Sequence, residues 1–289
     1  MLQKLVRIIL LQIRKSLGII EMKTDLNIIK SVAIEKYISR ELRDNKRFQD
    51  NKRLNKYEYQ IFSQFGEDGI INEIFTRIGT TNKFFVEIGA GEGLENNTTN
   101  LLINNWRGVW VEYDLQLVRL INKYFSYFIK IKKLTAINKF VTVDNVLTLF
   151  KNAKIPKEFD LLSIDIDGND YWIWQYLLSY KPRVVVIEYN ASLGLSAEWV
   201  MKYNKSHKYD YTNYHGASLK SLEKLGQKLG YNLVGCSFSG VNAFFVRKDL
   251  VGRKFLEPFT SENFYEPPRY YLYRRIGHSK NFKLFNDFV

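Results

Sequence analysis

The chain has 289 residues, 46% of them hydrophobic and 25% charged, with a single cysteine, Cys236. That composition is globular and long enough to bury a core, and it excludes a disulfide framework or a multi-cysteine metal centre within the chain. The net charge of +13 is uneven, at +7 over residues 1–60, −4 over 61–120, +6 over 121–154 and +4 over 247–289, so a basic periphery surrounds an acidic-to-neutral centre and favours anionic partners.

Residues 1–20 place Leu2, Leu5, Val6, Ile9, Ile13 and Leu17 at helical spacing, which predicts an amphipathic helix. Lys4, Arg7, Arg14 and Lys15 interrupt it and no small-residue cleavage site follows, so it does not read as a signal peptide. Two roles fit: an anchor on anionic lipid, or a helix packed on its own domain or on a dimer partner, the reading preferred from sequence. A second helix is predicted over 28–47, with the charged run 43–56 as a solvated helix end and linker.

From residue 57 strands alternate with helices. A helix over 70–78 precedes a strand at 84–88, FFVEI, which runs into the loop Gly89-Ala90-Gly91-Glu92-Gly93. A helix over 96–103 and a strand at 107–112 follow, then a helix to about 124 and a third strand at 127–131. Further on come a helix at 144–150, a strand at 160–165, a helix at 171–178 and a strand at 183–188. A helix over 216–229 leads to a hairpin of strands at 231–236 and 241–247. This order predicts a mostly parallel α/β sheet closed by one antiparallel strand, binding its ligand beyond the carboxyl ends of the strands. Gly89, Gly91, Glu112, Asp165 and Glu188 fall at those ends.

A strand, a glycine loop, a helix and an acid about 20 residues on describe a nucleotide-ribose site. The G-x-G-x-G spacing differs from the dinucleotide pattern, and Glu87 and Glu92 are awkward beside a pyrophosphate. They suit the cationic sulfonium and ammonium of S-adenosylmethionine. Glycine at 89 and 91 is expected to let the backbone approach the ligand, and Glu112 to hold the ribose hydroxyls.

The blocks SQFGEDGIINEIF (63–75), FFVEIGAGEGLENNTTNLL (84–102), WRGVWVE (106–112), LLSIDIDGNDYWIW (161–174), VVVIEYN (184–190), GASLKSLEKLGQKLGY (216–231) and GVNAFFVRKDL (240–250) resemble the FkbM-like class I S-adenosylmethionine-dependent methyltransferases. The resemblance implies a Rossmann-like fold of seven strands over 57–250, preceded by a helical arm and linker over 1–56 and followed by a basic, aromatic tail over 251–289. By matched position it implies that Glu87, Gly89 and Gly91 line the methionine end of the cofactor, that Gln64 and Asp68 reach its amino-acid end, and that Asp144 approaches the adenine; Asp144 also reads as a helix N-cap. It implies O-methylation of a sugar or nucleotide-sugar, in surface-polysaccharide or secondary-metabolite synthesis.

Asp165, Asp167, Glu188 and Asn190 converge if their strands are neighbours. Their oxygens suit Mg²⁺ or Mn²⁺, and either Asp165 or Asp167 can instead serve as a base; Asp170 and the Asp-Gly-Asn turn also read as turn chemistry. Of His207, His215 and His278, His215 is the candidate base, with a surface loop position as the plainer reading. Residues 191–214 form a long insertion rich in tyrosine and lysine, read as a lid. The expected partner is a small molecule. A nucleic-acid methyltransferase is the second reading, although no RNA-binding module or base-methylation motif is present, and a non-catalytic membrane-associated scaffold is the third. The expected location is cytoplasmic, with peripheral contact at the inner face of the membrane, and homodimerisation is compatible with the arm.

Overall fold

The computed structural model describes residues 2–272 and 281–286. Its centre is a sheet of seven strands: β1 (Phe84–Ile88), β2 (Arg107–Glu112), β3 (Leu134–Asn138), β4 (Glu158–Ile164), β5 (Lys181–Glu188), β6 (Tyr231–Cys236) and β7 (Asn242–Arg247). Their order is β3-β2-β1-β4-β5-β7-β6. Pairing is parallel from β3 to β5, and β7 lies antiparallel to both β5 and β6. This is the Rossmann-like arrangement expected from the sequence. Chain order reverses between β1 and β4, which opens a crevice at their carboxyl ends.

Apolar residues alternate across the sheet because successive strand side chains point to opposite faces. Val86, Val109, Leu162, Val185 and Phe245 face one core. Phe85, Trp110, Leu161, Val184 and Phe244 face the other. Both faces are therefore covered, which explains why the strands read as continuous apolar runs.

Two helices, α1 (Leu2–Ser16) and α2 (Ile19–Lys36), lead the chain. The layers are built from α3 (Glu67–Ile78), α4 (Thr99–Ile103), α5 (Leu115–Tyr124), α6 (Ser126–Lys130), α7 (Val146–Asn152), α8 (Asp170–Tyr176) and α9 (Leu219–Leu229). Ile70, Ile74, Leu102 and Ile121 cover one face of the sheet, and Val146, Ile173 and Leu222 the other.

One strand moves. Residues 127–131 belong to α6 and the turn after it, and the third strand is Leu134–Asn138. A five-residue apolar run does not distinguish a strand from a buried helical turn. Here Phe128 packs on Phe125 with ring centroids 6.4 Å apart, and Lys132 turns the chain with φ +58.

The charged run after the arm is mostly exposed, as at 44–47 and 49–52, but its end is anchored to the body. Leu54, Arg53 and Asn55 are buried. Arg53 Nη2 donates to Asn263 Oδ1 at 2.7 Å, and Asn55 Nδ2 donates to the Cys236 carbonyl at 2.7 Å. The C-terminal tail packs back as well, with Phe285 stacked on Phe125 at 4.2 Å. The second arm helix starts earlier than expected and continues into a π-helical turn, Tyr37–Arg43, where Ile38 and Leu42 join Ile34, Phe48, Phe238 and Leu272 in a small third core.

Candidate functional site

A cavity of about 770 Å³ opens at the carboxyl ends of the strands, within the roughly 300–1,000 Å³ span of ligand pockets. Gly89 and Gly91 border it after β1, Glu112 ends β2 and Tyr113 follows it, Asp165, Asp167 and Asn169 come after β4, and Glu188 ends β5. Gln64 reaches it from the segment before α3.

The two glycines do different work. Gly89 has φ +87, and a Cβ there would sit 1.6 Å from the Asp165 carbonyl oxygen. Glycine is demanded there by the packing of the β1 and β4 loops, while the residue's backbone also borders the cavity. Gly91 has φ +57 and nothing within 4 Å of its absent Cβ, so open cavity space lies there.

Glu112 has one oxygen accepting the Gly91 N–H at 2.9 Å and the other accepting the Asp114 N–H at 2.9 Å. Each oxygen keeps a lone pair for a ligand hydroxyl. Burial raises its pKa, opposed by those N–H bonds. Tyr113 and Phe140 meet edge to face at 5.9 Å beside it.

Glu87 is not at the cavity wall. It is buried in the sheet, accepting the Asn97 N–H at 2.8 Å and the Thr98 hydroxyl, and Thr98 in turn accepts the Trp110 indole N–H at 2.7 Å. Glu87 organises the chain after the glycine loop. Burial pushes its pKa up to about 7 against the hydrogen bonds from Thr98 and Asn97. A carboxyl whose folded pKa is raised stabilises the fold at low pH, and this contribution is lost as pH rises from about 4.5 through about 7. Glu87→Gln, which keeps an acceptor for Asn97, is expected to match wild type in thermal melts at pH 5 and to exceed it at pH 8 by up to about 3 kcal/mol. Equal stability of the two proteins at both pH values would refute the buried charge.

Three other expected residues also lie off the cavity. Asp68 Oδ2 accepts the N–H groups of Ile61, Phe62 and Ser63 at 2.7–2.8 Å, folding the loop before α3. Asp144 is exposed in the turn before α7, and the N-cap position belongs to Asn145. Asn190 Nδ2 donates to the carbonyls of Asn213 and His215 at 2.8 and 3.0 Å, and its Oδ1 accepts the Ser192 hydroxyl. An amide held on both sides by its own chain is not a metal ligand here. Asp170 follows the same logic, accepting the N–H groups of Ile166 and Gly168 at 2.9 and 2.8 Å.

Asp165, Asp167 and Glu188 are brought together, each offering an oxygen within 4.8 Å of the others'. All three carboxyls have raised pKa values. Burial is the first cause in each; the Glu188, Asp167 and Asp170 charges add to it at Asp165, and those of Asp167 and Asp170 at Glu188. Glu188 Oε2 is buried without a hydrogen bond. His215 lies behind it, with Nδ1 at 3.6 Å, too long for a hydrogen bond. His215 does not line the cavity, whereas His207 does.

His207 comes from the long insertion, which closes over one side of the cavity. Its Nε2 is 3.1 Å from the Asp167 carbonyl. A Cβ on Gly168 would meet its ring at 2.3 Å, so the Asp-Gly-Asn turn is the seat for this histidine. Asn169 pins the same segment, donating to the Asn204 carbonyl at 2.8 Å and accepting the Asn204 N–H at 3.3 Å. Lys208 and Tyr209 of the insertion and Tyr270 of the tail also reach the cavity. Tyr270 carried no sequence signal, because its approach depends on the tail folding back. His278 lies outside the described residues.

No protein-family model and no curated protein matches the chain. Among solved structures it is similar to the pyocyanin biosynthetic protein PhzM, at 14% identity and TM-score 0.37 over 61% of this chain and 54% of that one. It is similar to PKMT2 from Rickettsia typhi, at 12% identity and TM-score 0.45 over 71% and 57%. It is also similar to an O-methyltransferase from Bacillus cereus, at 14% identity and TM-score 0.40 over 61% and 76%. The chain spans little more than half the length of the first two.

Proposed function

We infer that this chain is an S-adenosylmethionine-dependent methyltransferase of the FkbM-like group, acting on a hydroxyl of a sugar or nucleotide-sugar. One observation carries the reading: a single cavity holds Glu112 on one side of the β1 glycine loop and the Asp165, Asp167 and Glu188 carboxylates on the other. The sequence blocks that resemble FkbM-like enzymes support it independently.

The residues fit the cofactor. The free lone pairs of Glu112 suit two ribose hydroxyls, and the open space at Gly91 admits the chain of atoms beyond the ribose. Tyr113 and Phe140 offer an aromatic wall for the attached base. S-Adenosylmethionine supplies a methyl group already activated by its sulfonium.

The remaining need is to remove a proton from a poor nucleophile. With the cofactor bound, Asp165 would stand to take the acceptor hydroxyl's proton on a carboxylate oxygen, and its raised pKa makes it a better proton acceptor near neutral pH. The donor set of Asp165, Asp167 and Glu188 also fits a hard cation such as Mg²⁺ or Mn²⁺, which would ease ionisation of the hydroxyl. Lys208 and Lys139 offer charge for a phosphate, and Tyr209 a face for a sugar ring.

Glu112→Ala is expected to weaken S-adenosylmethionine binding by about 1–3 kcal/mol, the loss of charge-assisted hydrogen bonds, in a protein that still melts cooperatively. Calorimetry measures it, and unchanged affinity would remove Glu112 from the ribose role. The decisive test is transfer of labelled methyl to a panel of nucleotide-sugars, with and without chelator. Absence of both cofactor binding and transfer to any hydroxyl acceptor would overturn the proposal.

A further inference from the structure

Among the described side chains of the two N-terminal helices, the apolar ones before Ile34 are left facing water. On α1, Val6, Leu10 and Ile13 are 47%, 48% and 46% exposed, and their spacing of four and three residues aligns them in one stripe. Leu17 at the bend is exposed, as are Ile19, Met22, Leu26, Ile29 and Val32 along α2. Among the described residues, the first arm side chain to enter a core cluster is Ile34. Of the preferred sequence reading, a helix packed on its own domain or on a dimer partner, the first half is not seen at Val6, Leu10 and Ile13. A contiguous apolar stripe of this kind marks a surface that something else covers.

Charge selects the occupant. Residues 1–20 contain Lys4, Arg7, Arg14 and Lys15 and no acid, the first being Glu21. Arg7, Arg14 and Lys15 are exposed. A second copy of the same helix would bring like charges together along the rims of the contact, which opposes pairing. An anionic lipid surface matches both the stripe and the rim. A helix of 15 residues is about 22 Å long, suited to lying in the headgroup plane, and no described helix is long and apolar enough to cross a membrane. Gly18, left-handed at φ +64, breaks the helix between α1 and α2, so α1 need not follow the direction in which α2 leaves the body.

We propose that α1 docks the protein on an anionic lipid surface, with Val6, Leu10, Ile13 and Leu17 in the acyl boundary, Arg7 and Arg14 at the headgroups beside them, and Lys15 on the opposite face adding to the charge that draws the helix to the surface. This placement does not depend on the reaction the body performs.

The test is co-sedimentation of the full chain with vesicles of phosphatidylcholine alone and of phosphatidylcholine with about a third phosphatidylglycerol, a headgroup mixture chosen for its negative surface potential. Binding is expected only to the anionic vesicles and should weaken as salt is raised. Each basic group near such a surface contributes about fivefold, so R7Q/R14Q/K15Q should lose on the order of 100-fold in partitioning. L10D/I13D should also release the protein, with its melting temperature unchanged because those side chains support no core. Equal binding of wild type and both variants, or no binding to anionic vesicles, would overturn the proposal. So would a wild-type dimer that L10D/I13D converts to monomer, since a second copy would then be the occupant.

Discussion

Asp165→Asn is expected to lower methyl transfer at least about 100-fold, near the lower end of what a positioned base contributes, while cofactor affinity stays within a few-fold of wild type. Asp165 ends β4 at the cavity, and among the described residues its carboxylate makes no hydrogen bond to the protein, unlike the neighbouring Asp170. Burial and the charges of Glu188, Asp167 and Asp170 push its pKa up. Because the raised value means protonation persists to higher pH, activity should climb with pH as the cluster loses its proton, and this limb should vanish in the asparagine variant. The same shift carries a stability cost. Folded carboxyls with raised pKa values lose their stabilising contribution as pH rises, so Asp165→Asn should melt higher than wild type at alkaline pH while being far less active. Gain of stability with loss of turnover marks a site strained for function. Wild-type activity in chelator would remove the metal from the mechanism and leave the carboxylates as direct bases. Full activity in both Asp165→Asn and Glu188→Gln would reduce the cluster to a structural feature.

The strand ends were legible in the sequence because the sheet is buried on both faces. Continuous apolar runs bounded by glycine and acid gave β1, β2 and β6 at their observed bounds, and parallel order then placed Glu112, Asp165 and Glu188 at one edge. What the sequence did not carry was the direction in which each loop turns its side chains. Glu87, Asp68 and Asn190 stand at motif positions yet hydrogen-bond to backbone and neighbouring side chains. A buried loop near a cavity has N–H and carbonyl groups that must be satisfied, and a nearby acid or amide is the cheapest partner. The long insertion was legible by its tyrosines and lysines, of which Lys208 and Tyr209 reach the cavity. The choice of His207 over His215 was not, because it rests on a Gly168 seat formed by residues some 40 positions earlier.

That distinction between packing and binding separates the two glycines of the loop, and it predicts opposite failures. Gly89→Ala must place a methyl group where the Asp165 carbonyl oxygen lies, 1.6 Å from the ideal Cβ, in a left-handed conformation at φ +87. Backbone cannot retreat as the tip of a flexible side chain can, because Asp165 N–H is held by the Ile88 carbonyl at 3.0 Å and β4 is paired to β1 along its length. The expected loss is about 4 kcal/mol or more, in the range kept for a named steric conflict, and a fall in melting temperature above roughly 10 °C. Gly91→Ala meets nothing within 4 Å. It should cost only the roughly 1–2 kcal/mol of left-handed backbone strain and leave a folded protein, but its methyl group enters the cavity beside Glu112. Cofactor affinity should fall there by about tenfold or more, a loss of roughly 1.4 kcal/mol. Melting curves and calorimetry on the two variants separate the roles. A Gly89→Ala protein that melts within a few degrees of wild type would show that the loop can move off β4. A folded Gly91→Ala protein with undiminished S-adenosylmethionine affinity would mean the cofactor does not pass this point of the cavity, and the ribose assignment of Glu112 would fall with it.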